Sequence, residues 1–310
     1  GRMTKNREIA VIGAGLMGHG IALVCARAGY QVHITDPTEE VLNTVKDRVA
    51  DSLRLMGVDE LEWDWVLGKI RPAVDLPTAA ASAKVIFEAV PEKLELKQSI
   101  FAQLEENAPD DAILASNTSV IQISKIMAGL KTRHRAVGTH WWNPPHMIPL
   151  VEVVKTEWTD PDIAHSMYDL LLEAKKTPVM VEKDVPGFIG NRLQHALWRE
   201  AISLVENGIC TAEAVDDVVK ASFGRRLAVL GPLENADLVG IELTQDIHNQ
   251  VLFDLETSGQ PSPLLQELLD QGRTGMAAGA GLRDWSEEDL AATKARVAEH
   301  LRKLETILPE

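Results

Sequence analysis

Glu8-Ile9-Ala10-Val11-Ile12-Gly13-Ala14-Gly15-Leu16-Met17-Gly18 decides the fold of this chain. A short apolar strand runs straight into three spaced glycines. The helical run Ile21-Ala22-Leu23-Val24-Cys25-Ala26-Arg27-Ala28 follows and closes on Gly29. A second strand, Gln31-Val32-His33-Ile34-Thr35, then ends on Asp36. Strand, G-x-G-x-x-G, helix, strand, acid is the order a dinucleotide site requires. Gly13 permits the tight turn, Gly15 lets the backbone approach a pyrophosphate, and Gly18 lets helix pack on strand. Leu16 and Met17 open the helix, where unpaired N–H groups and the positive end of the dipole face the phosphates. The alternative is a glycine turn that binds nothing.

Asp36 bears on which cofactor is used. A carboxylate ending the second strand accepts hydrogen bonds from the ribose hydroxyls of NAD and repels a 2′-phosphate. No arginine follows in Pro37-Thr38-Glu39-Glu40 to reverse that preference. NAD is therefore expected over NADP. The competing reading makes Asp36 a cap for a helix starting near Thr38.

Working outward, 310 residues are enough for about two domains and a substantial core. No apolar run reaches membrane-spanning length, and no secretory signal is read ahead of the first strand. Gly1-Arg2 before Met3 reads as a remnant of expression. Two cysteines, Cys25 and Cys210, make no disulfide framework, so a reducing cytoplasm is the expected setting. No Cys/His cluster has metal spacing, and no metal is expected. A net charge of −15 argues against nucleic acid or an anionic membrane as partner.

The alternation continues to residue 181. An amphipathic helix is predicted over 38–57, with Val41, Leu42, Val45, Val49, Leu53 and Met56 at helical spacing. An acidic connection carrying Trp63 and Trp65 leads to a strand at 70–72. Helices are predicted at 78–82, 94–107, 120–127 and 160–175, and strands at 84–90, 112–116, 136–140, 150–154 and 177–181. This βαβα order implies an α/β fold, a Rossmann-type doubly wound and mostly parallel sheet. At Lys183-Asp184-Val185-Pro186-Gly187 the pattern changes. From there only helices are expected, at 188–207, 211–222, 234–257, 261–271 and 286–306. The domains are read as 1–186, NAD-binding, and 187–310, an all-helical substrate and dimerisation domain.

In open α/β sheets ligands sit outside the carboxyl ends of the strands. Asn117-Thr118-Ser119 follows one strand, His140 ends the next, and Glu152 lies on the one after. Moving hydride from an alcohol to NAD needs a base for the hydroxyl proton, a task that suits histidine. A carboxylate on the other ring nitrogen fixes the tautomer and stabilises the imidazolium. His140 with Glu152 supplies such a pair. Ser119 is placed to bond the reacting oxygen, Asn117 to hold cofactor or a substrate carbonyl, and Asn191 to enter from the second domain. Each has a plainer alternative: a structural histidine, a surface glutamate, a helix N-cap at Ser119, a packing role for Asn191.

Gly138-Thr139-His140-Trp141-Trp142-Asn143-Pro144-Pro145 with Pro149-Leu150-Val151-Glu152-Val153-Val154 resembles the signature segment of the L-3-hydroxyacyl-CoA dehydrogenase family. Glu88-Ala89-Val90-Pro91-Glu92 with Lys97, Ala115-Ser116-Asn117-Thr118-Ser119, Pro186-Gly187-Phe188-Ile189-Gly190-Asn191-Arg192 and Gly231-Pro232-Leu233 are similar too. The resemblance covers almost the whole chain. It implies a His140–Glu152 catalytic pair with Ser119 and Asn191 on the substrate side. It also implies Ala89, Val90, Glu92 and Lys97 beside the cofactor, and a homodimer formed through the helical domain.

The chain departs from the family pattern where a CoA ester would be recognised. Residues 38–70 hold Lys46, Arg48, Arg54 and Lys69 against Glu39, Glu40, Asp47, Asp51, Asp59, Glu60, Glu62 and Asp64. Such a segment repels CoA phosphates. Gly281-Leu282-Arg283-Asp284-Trp285 replaces the family's Gly-Phe-Tyr ending. The run from Asn143 to Pro149 looks more like the family's non-CoA branches: L-gulonate dehydrogenase with lambda-crystallin, L-carnitine dehydrogenase, and a pyridine-aldehyde dehydrogenase of vitamin B6 breakdown. Asn143 and His146 then become candidate substrate contacts, with a loop histidine as the plainer reading of the latter. The expectation is a cytoplasmic NAD-dependent dehydrogenase for a small 3-hydroxy acid or related alcohol or aldehyde acid. The alternatives are a 3-hydroxyacyl-CoA dehydrogenase and a crystallin-like NAD-binding protein without turnover.

Overall fold

The first β-strand, β1 (Glu8–Ile12), is an interior strand, third from one edge of an eight-stranded sheet. The structure, a computed structural model, describes residues 7–308, so Gly1-Arg2 lies outside the described residues. The chain divides into two units, Gly1–Arg192 and Leu193–Glu310.

In the first unit β2 (Gln31–Thr35), β3 (Ile70–Pro72), β4 (Val85–Glu88), β5 (Ile113–Ser116), β6 (Ala136–Trp141), β7 (Leu150–Val154) and β8 (Thr177–Val181) complete the sheet in the order β3-β2-β1-β4-β5-β6-β7-β8. Strands β1 to β6 pair in parallel. β7 runs antiparallel to β6, and β8 parallel to β7. The run from Trp142 to Pro149 is too short for a crossover helix, so the chain must turn back on itself there.

The first-unit helices are α1 (Leu16–Arg27), α2 (Glu39–Asn43), α3 (Val45–Leu55), α4 (Glu60–Gly68), α5 (Leu76–Ala80), α6 (Leu94–Asn107), α7 (Ile123–Met127) and α8 (Pro161–Glu173). Alternate strand residues feed two cores. Ile9, Val11, Val32, Ile34, Val85 and Phe87 pack with α1, α3, α4 and α8. Ala10, Ile12, Ile86 and Leu114 pack with α5, α6 and α7. Burial on both faces is why these strands read as unbroken apolar runs.

Three local expectations change. The helix expected over 38–57 is broken at Thr44, whose hydroxyl donates back to Val41 O at 3.1 Å. The acidic connection is instead helix α4, capped by Asp59, with Val66 buried. Trp63, Val66 and Leu67 share one face of it, a three-and-four spacing hidden among acids. α7 begins only at Ile123, because Asp184 accepts the Ile123 and Ser124 N–H groups at 3.0 and 2.7 Å.

The second unit is helical. The helix α9 (Gly190–Glu206) enters it, followed by α10 (Ala212–Ala221), α11 (Pro232–Val239), α12 (Ile241–Val251), α13 (Pro263–Asp270) and α14 (Glu287–Ile307). The run expected over 234–257 is split at Gly240, whose φ of +101° ends one helix before the next begins. Among the described residues no helix is long and apolar enough to cross a membrane.

Candidate active site

His140 and Glu152 are direct cross-strand partners on β6 and β7. Opposed residues of an antiparallel pair point to the same face. Here His140 Nδ1 meets Glu152 Oε1 at 2.8 Å, with His140 4% and Glu152 1% exposed. The other carboxylate oxygen, Oε2, accepts the Ile189 and Gly190 N–H groups at 2.8 and 3.0 Å, at the start of α9. Burial pushes the Glu152 carboxyl upward, but the hydrogen bonds from His140, Gly190 and Ile189 outweigh it and hold Glu152 below the usual carboxylate range. With Nδ1 turned to a carboxylate, the Nε2 lone pair of neutral His140 is left to accept a proton.

A second group forms on the neighbouring strand ends. Lys97, fully buried, donates to Glu88 Oε2 at 2.6 Å and to Val90 O at 3.1 Å, and lies 3.2 Å from Glu92 Oε1. Glu92 Oε2 accepts Thr118 Oγ1 at 3.0 Å and Ser119 N at 3.1 Å. Asn191 Nδ2 donates to Ser119 O at 3.2 Å. Ser119 does not cap α7, which leaves its hydroxyl out of the helix. Asn117 Oδ1 accepts Trp141 N at 2.9 Å, so its NH₂ is the end left for a ligand. Asn143 is exposed.

The dinucleotide loop fits NAD on its own geometry. Gly13 has φ +107°, and a Cβ there would come within 2.5 Å of Ala89 O. A Cβ on Gly18 would run into the Gly13 carbonyl. A Cβ on Gly15 would meet nothing within 4 Å, so the backbone opens onto free space. Beyond it α1 has no side-chain cap and no acid in its first turn, which leaves its N–H groups for phosphate. Asp36 Oδ2 accepts Ala14 N at 2.9 Å and Oδ1 accepts Thr38 N at 2.8 Å. It therefore braces the glycine loop and the turn ahead of α2, whose N-cap is Thr38 and not Asp36, with lone pairs to spare for ribose hydroxyls.

Sequence reasoning gave no role in this loop to Arg48. Its guanidinium donates to Ala14 O, to Val41 O at 2.8 Å and to Gly15 O at 3.4 Å, tying the glycine loop to α3. His146 joins a different group from His140. Its ring lies 5.5 Å from the His19 ring and its Nδ1 is buried without a partner against Gly20. Burial, with help from His19 and Lys176, pushes the His146 imidazole down to about 4. At neutral pH it offers a hydrogen bond but no charge.

Comparison with known proteins agrees with this geometry. Residues 8–185 match the 3-hydroxyacyl-CoA dehydrogenase NAD-binding domain, and residues 187–285 match the C-terminal domain of the same enzymes. The chain belongs to the 3-hydroxyacyl-CoA dehydrogenase family. It is an NAD-dependent dehydrogenase acting on CH–OH groups. It is 35% identical to the 5-formyl-3-hydroxy-2-methylpyridine 4-carboxylate 5-dehydrogenase of Mesorhizobium japonicum, over 96% of each chain. A crystal structure of an enzyme of that name, an NAD+-dependent dismutase, matches with TM-score 0.90 at 32% identity, over 97% of this chain and 98% of the other. A 3-hydroxybutyryl-CoA dehydrogenase of Mycobacterium tuberculosis is 35% identical over 89% of this chain and 97% of its own.

The depressed His146 carries a stability consequence. Between pH 6.5 and about 4 the unfolded chain takes up a proton that folded His146 refuses, so stability falls as pH drops through that window and the effect levels off below it. In His146→Asn the urea midpoint is expected to fall less steeply between those pH values than in the native chain. Identical slopes would contradict the assignment.

Proposed function

We propose that this dehydrogenase interconverts a hydroxy and an oxo group on a small free acid, a 3-hydroxy acid or a related alcohol or aldehyde acid, with His140 as the catalytic base. The observation that carries the reading is the 2.8 Å contact between His140 Nδ1 and Glu152 on facing strand positions. Nε2 of His140 takes the hydroxyl proton in oxidation and returns it in reduction. Glu152 holds the ring orientation and offsets the charge of the imidazolium. Ser119 offers its hydroxyl to the reacting oxygen, and Asn117 and Asn191 offer amide donors beside it. NAD, when bound, supplies the hydride acceptor. Gly13, Gly15, Leu16, Met17 and Gly18 would hold its diphosphate, Asp36 one ribose, and Glu92 and Lys97, with Ala89 and Val90, the nicotinamide side.

The choice of a free acid rests on where the bases go. Of the four in residues 38–70, Arg48 is spent on the glycine loop. Arg54 pairs with Asp51 at 2.9 Å and lies over Trp63, and Lys69 lies over Trp65. That leaves Lys46 for CoA phosphates, among eight acids. The relative named for a pyridine carboxylate points the same way. The relatives named for acyl-CoA substrates keep the thioester as the competing reading.

A homodimer is the assembly we infer. Helices α10 to α14 bury no residue within the chain; Leu233, Leu238 and Ile241 lie exposed on them, and Phe253 lies exposed in the short turn after α12. A second copy is the partner that would cover such a surface. A cytoplasmic setting accords with two free cysteines, one buried.

His140→Ala is expected to lower kcat by roughly 10²–10⁴-fold with NAD affinity nearly unchanged. A near-normal kcat would remove His140 from the mechanism. Small hydroxy acids and pyridine aldehyde acids are expected to exceed 3-hydroxybutyryl-CoA in kcat/KM, and the reverse order would return the enzyme to acyl-CoA chemistry. Light scattering at micromolar concentration should give twice the chain mass, and an active monomer would overturn the dimer.

A further inference from the structure

Two adjacent tryptophans follow His140, and the strand sends them to different places. Trp141 is buried in the core, edge-on to Phe87 at 5.7 Å. Trp142 faces the catalytic pair. Its Nε1 donates to Glu152 Oε1 at 3.2 Å, the same oxygen that holds His140 Nδ1. Its ring centroid is 5.3 Å from that of His140. A Cβ at Gly190 would run into the indole, so the first turn of α9 packs directly on it. The ring thus packs near both His140 and the start of the helix whose N–H groups bind Glu152 Oε2. Packing alone would need only the ring, whereas the N–H is aimed at the carboxylate.

We propose that Trp142 is a positioning residue that tunes the basicity of His140 by sharing the Glu152 oxygen on which His140 depends. The inference rests on His140 being the base. A neutral donor on a carboxylate draws off part of the negative charge that would stabilise an imidazolium. Removing the donor leaves that charge to His140 alone and makes the ring harder to deprotonate. The surroundings give the effect few rivals. The polar partners of Glu152 are His140, the Trp142 indole and the Ile189 and Gly190 N–H groups, none of them a lysine or arginine. From α9 and its approach the pair meets uncharged Phe188, Ile189 and Gly190, and uncharged Asn117, from the loop after β5, accepts the N–H of Trp141, the residue after His140.

The test uses the full chain with histidine labelled at ring carbon Cε1 and followed by NMR across pH, with the His140 resonance identified by its loss in His140→Gln. In Trp142→Phe the His140 midpoint is expected to rise by about half a pH unit, about threefold in proton affinity, with NAD affinity unchanged. An unmoved or lowered midpoint overturns the proposal. A second readout needs no folded variant. In the native chain the Trp142 indole N–H resonance should shift with the same midpoint as His140, and a flat indole resonance overturns the proposal equally. Retention of kcat in His140→Gln would sink the base assignment separately, since the NMR coupling is read without turnover.

Discussion

A carboxylate withdrawn from water must find donors for both oxygens, and Glu152 meets that constraint by joining three parts of the chain. His140 comes from the facing strand, Trp142 from the turn just beyond it, and the Ile189 and Gly190 N–H groups from the start of α9. An acid buried to this degree without those donors would neutralise itself rather than stay charged. With them it stays ionised. The same four contacts hold the His140 ring and the start of α9 to one carboxylate. Phe188, at φ +53°, and Gly187, at φ +79°, are the backbone conformations that bring the α9 N–H groups round to the carboxylate.

The nucleotide end obeys a parallel logic with the signs exchanged. There the backbone must present N–H groups outward, so its carbonyls have to be satisfied from behind. Arg48 and His19 do this, the latter with Nδ1 at 3.2 Å from Gly15 O and Nε2 at 2.8 Å from Ser52 Oγ. Burial lowers His19 against protonation, which leaves Arg48 as the positive charge at the back of the loop. Between the two ends the buried Lys97–Glu88 pair, bridged to Ser116 at 2.6 Å, locks the strand termini from which Ser119 and Glu92 project.

Much of this is legible in the amino-acid sequence. The glycine loop, the acid at the end of β2 and the alternation of strand and helix carry their own spacing, and the sheet followed from them. His140 and Glu152 were readable as a pair because both end up on strands joined by a short turn. What was hidden depends on contacts between residues distant in sequence. Nothing local marks Asp184 as the cap of α7, or Arg48 as a brace for a loop more than thirty residues away. Asn191 was expected at the site, but not that it would engage the Ser119 carbonyl. α4 was missed because its acids masked a helical face, and Gly240 because one glycine inside a helical pattern does not announce a positive φ.

The charge of Glu152 must reach His140 for this site to work as proposed, and Glu152→Gln tests that most directly. The amide cannot stabilise an imidazolium as the carboxylate does, so the His140 midpoint should move to lower pH and kcat should fall, with NAD affinity kept. A variant in which the His140 midpoint and kcat both stay at their native values would contradict the claim that this carboxylate organises the site.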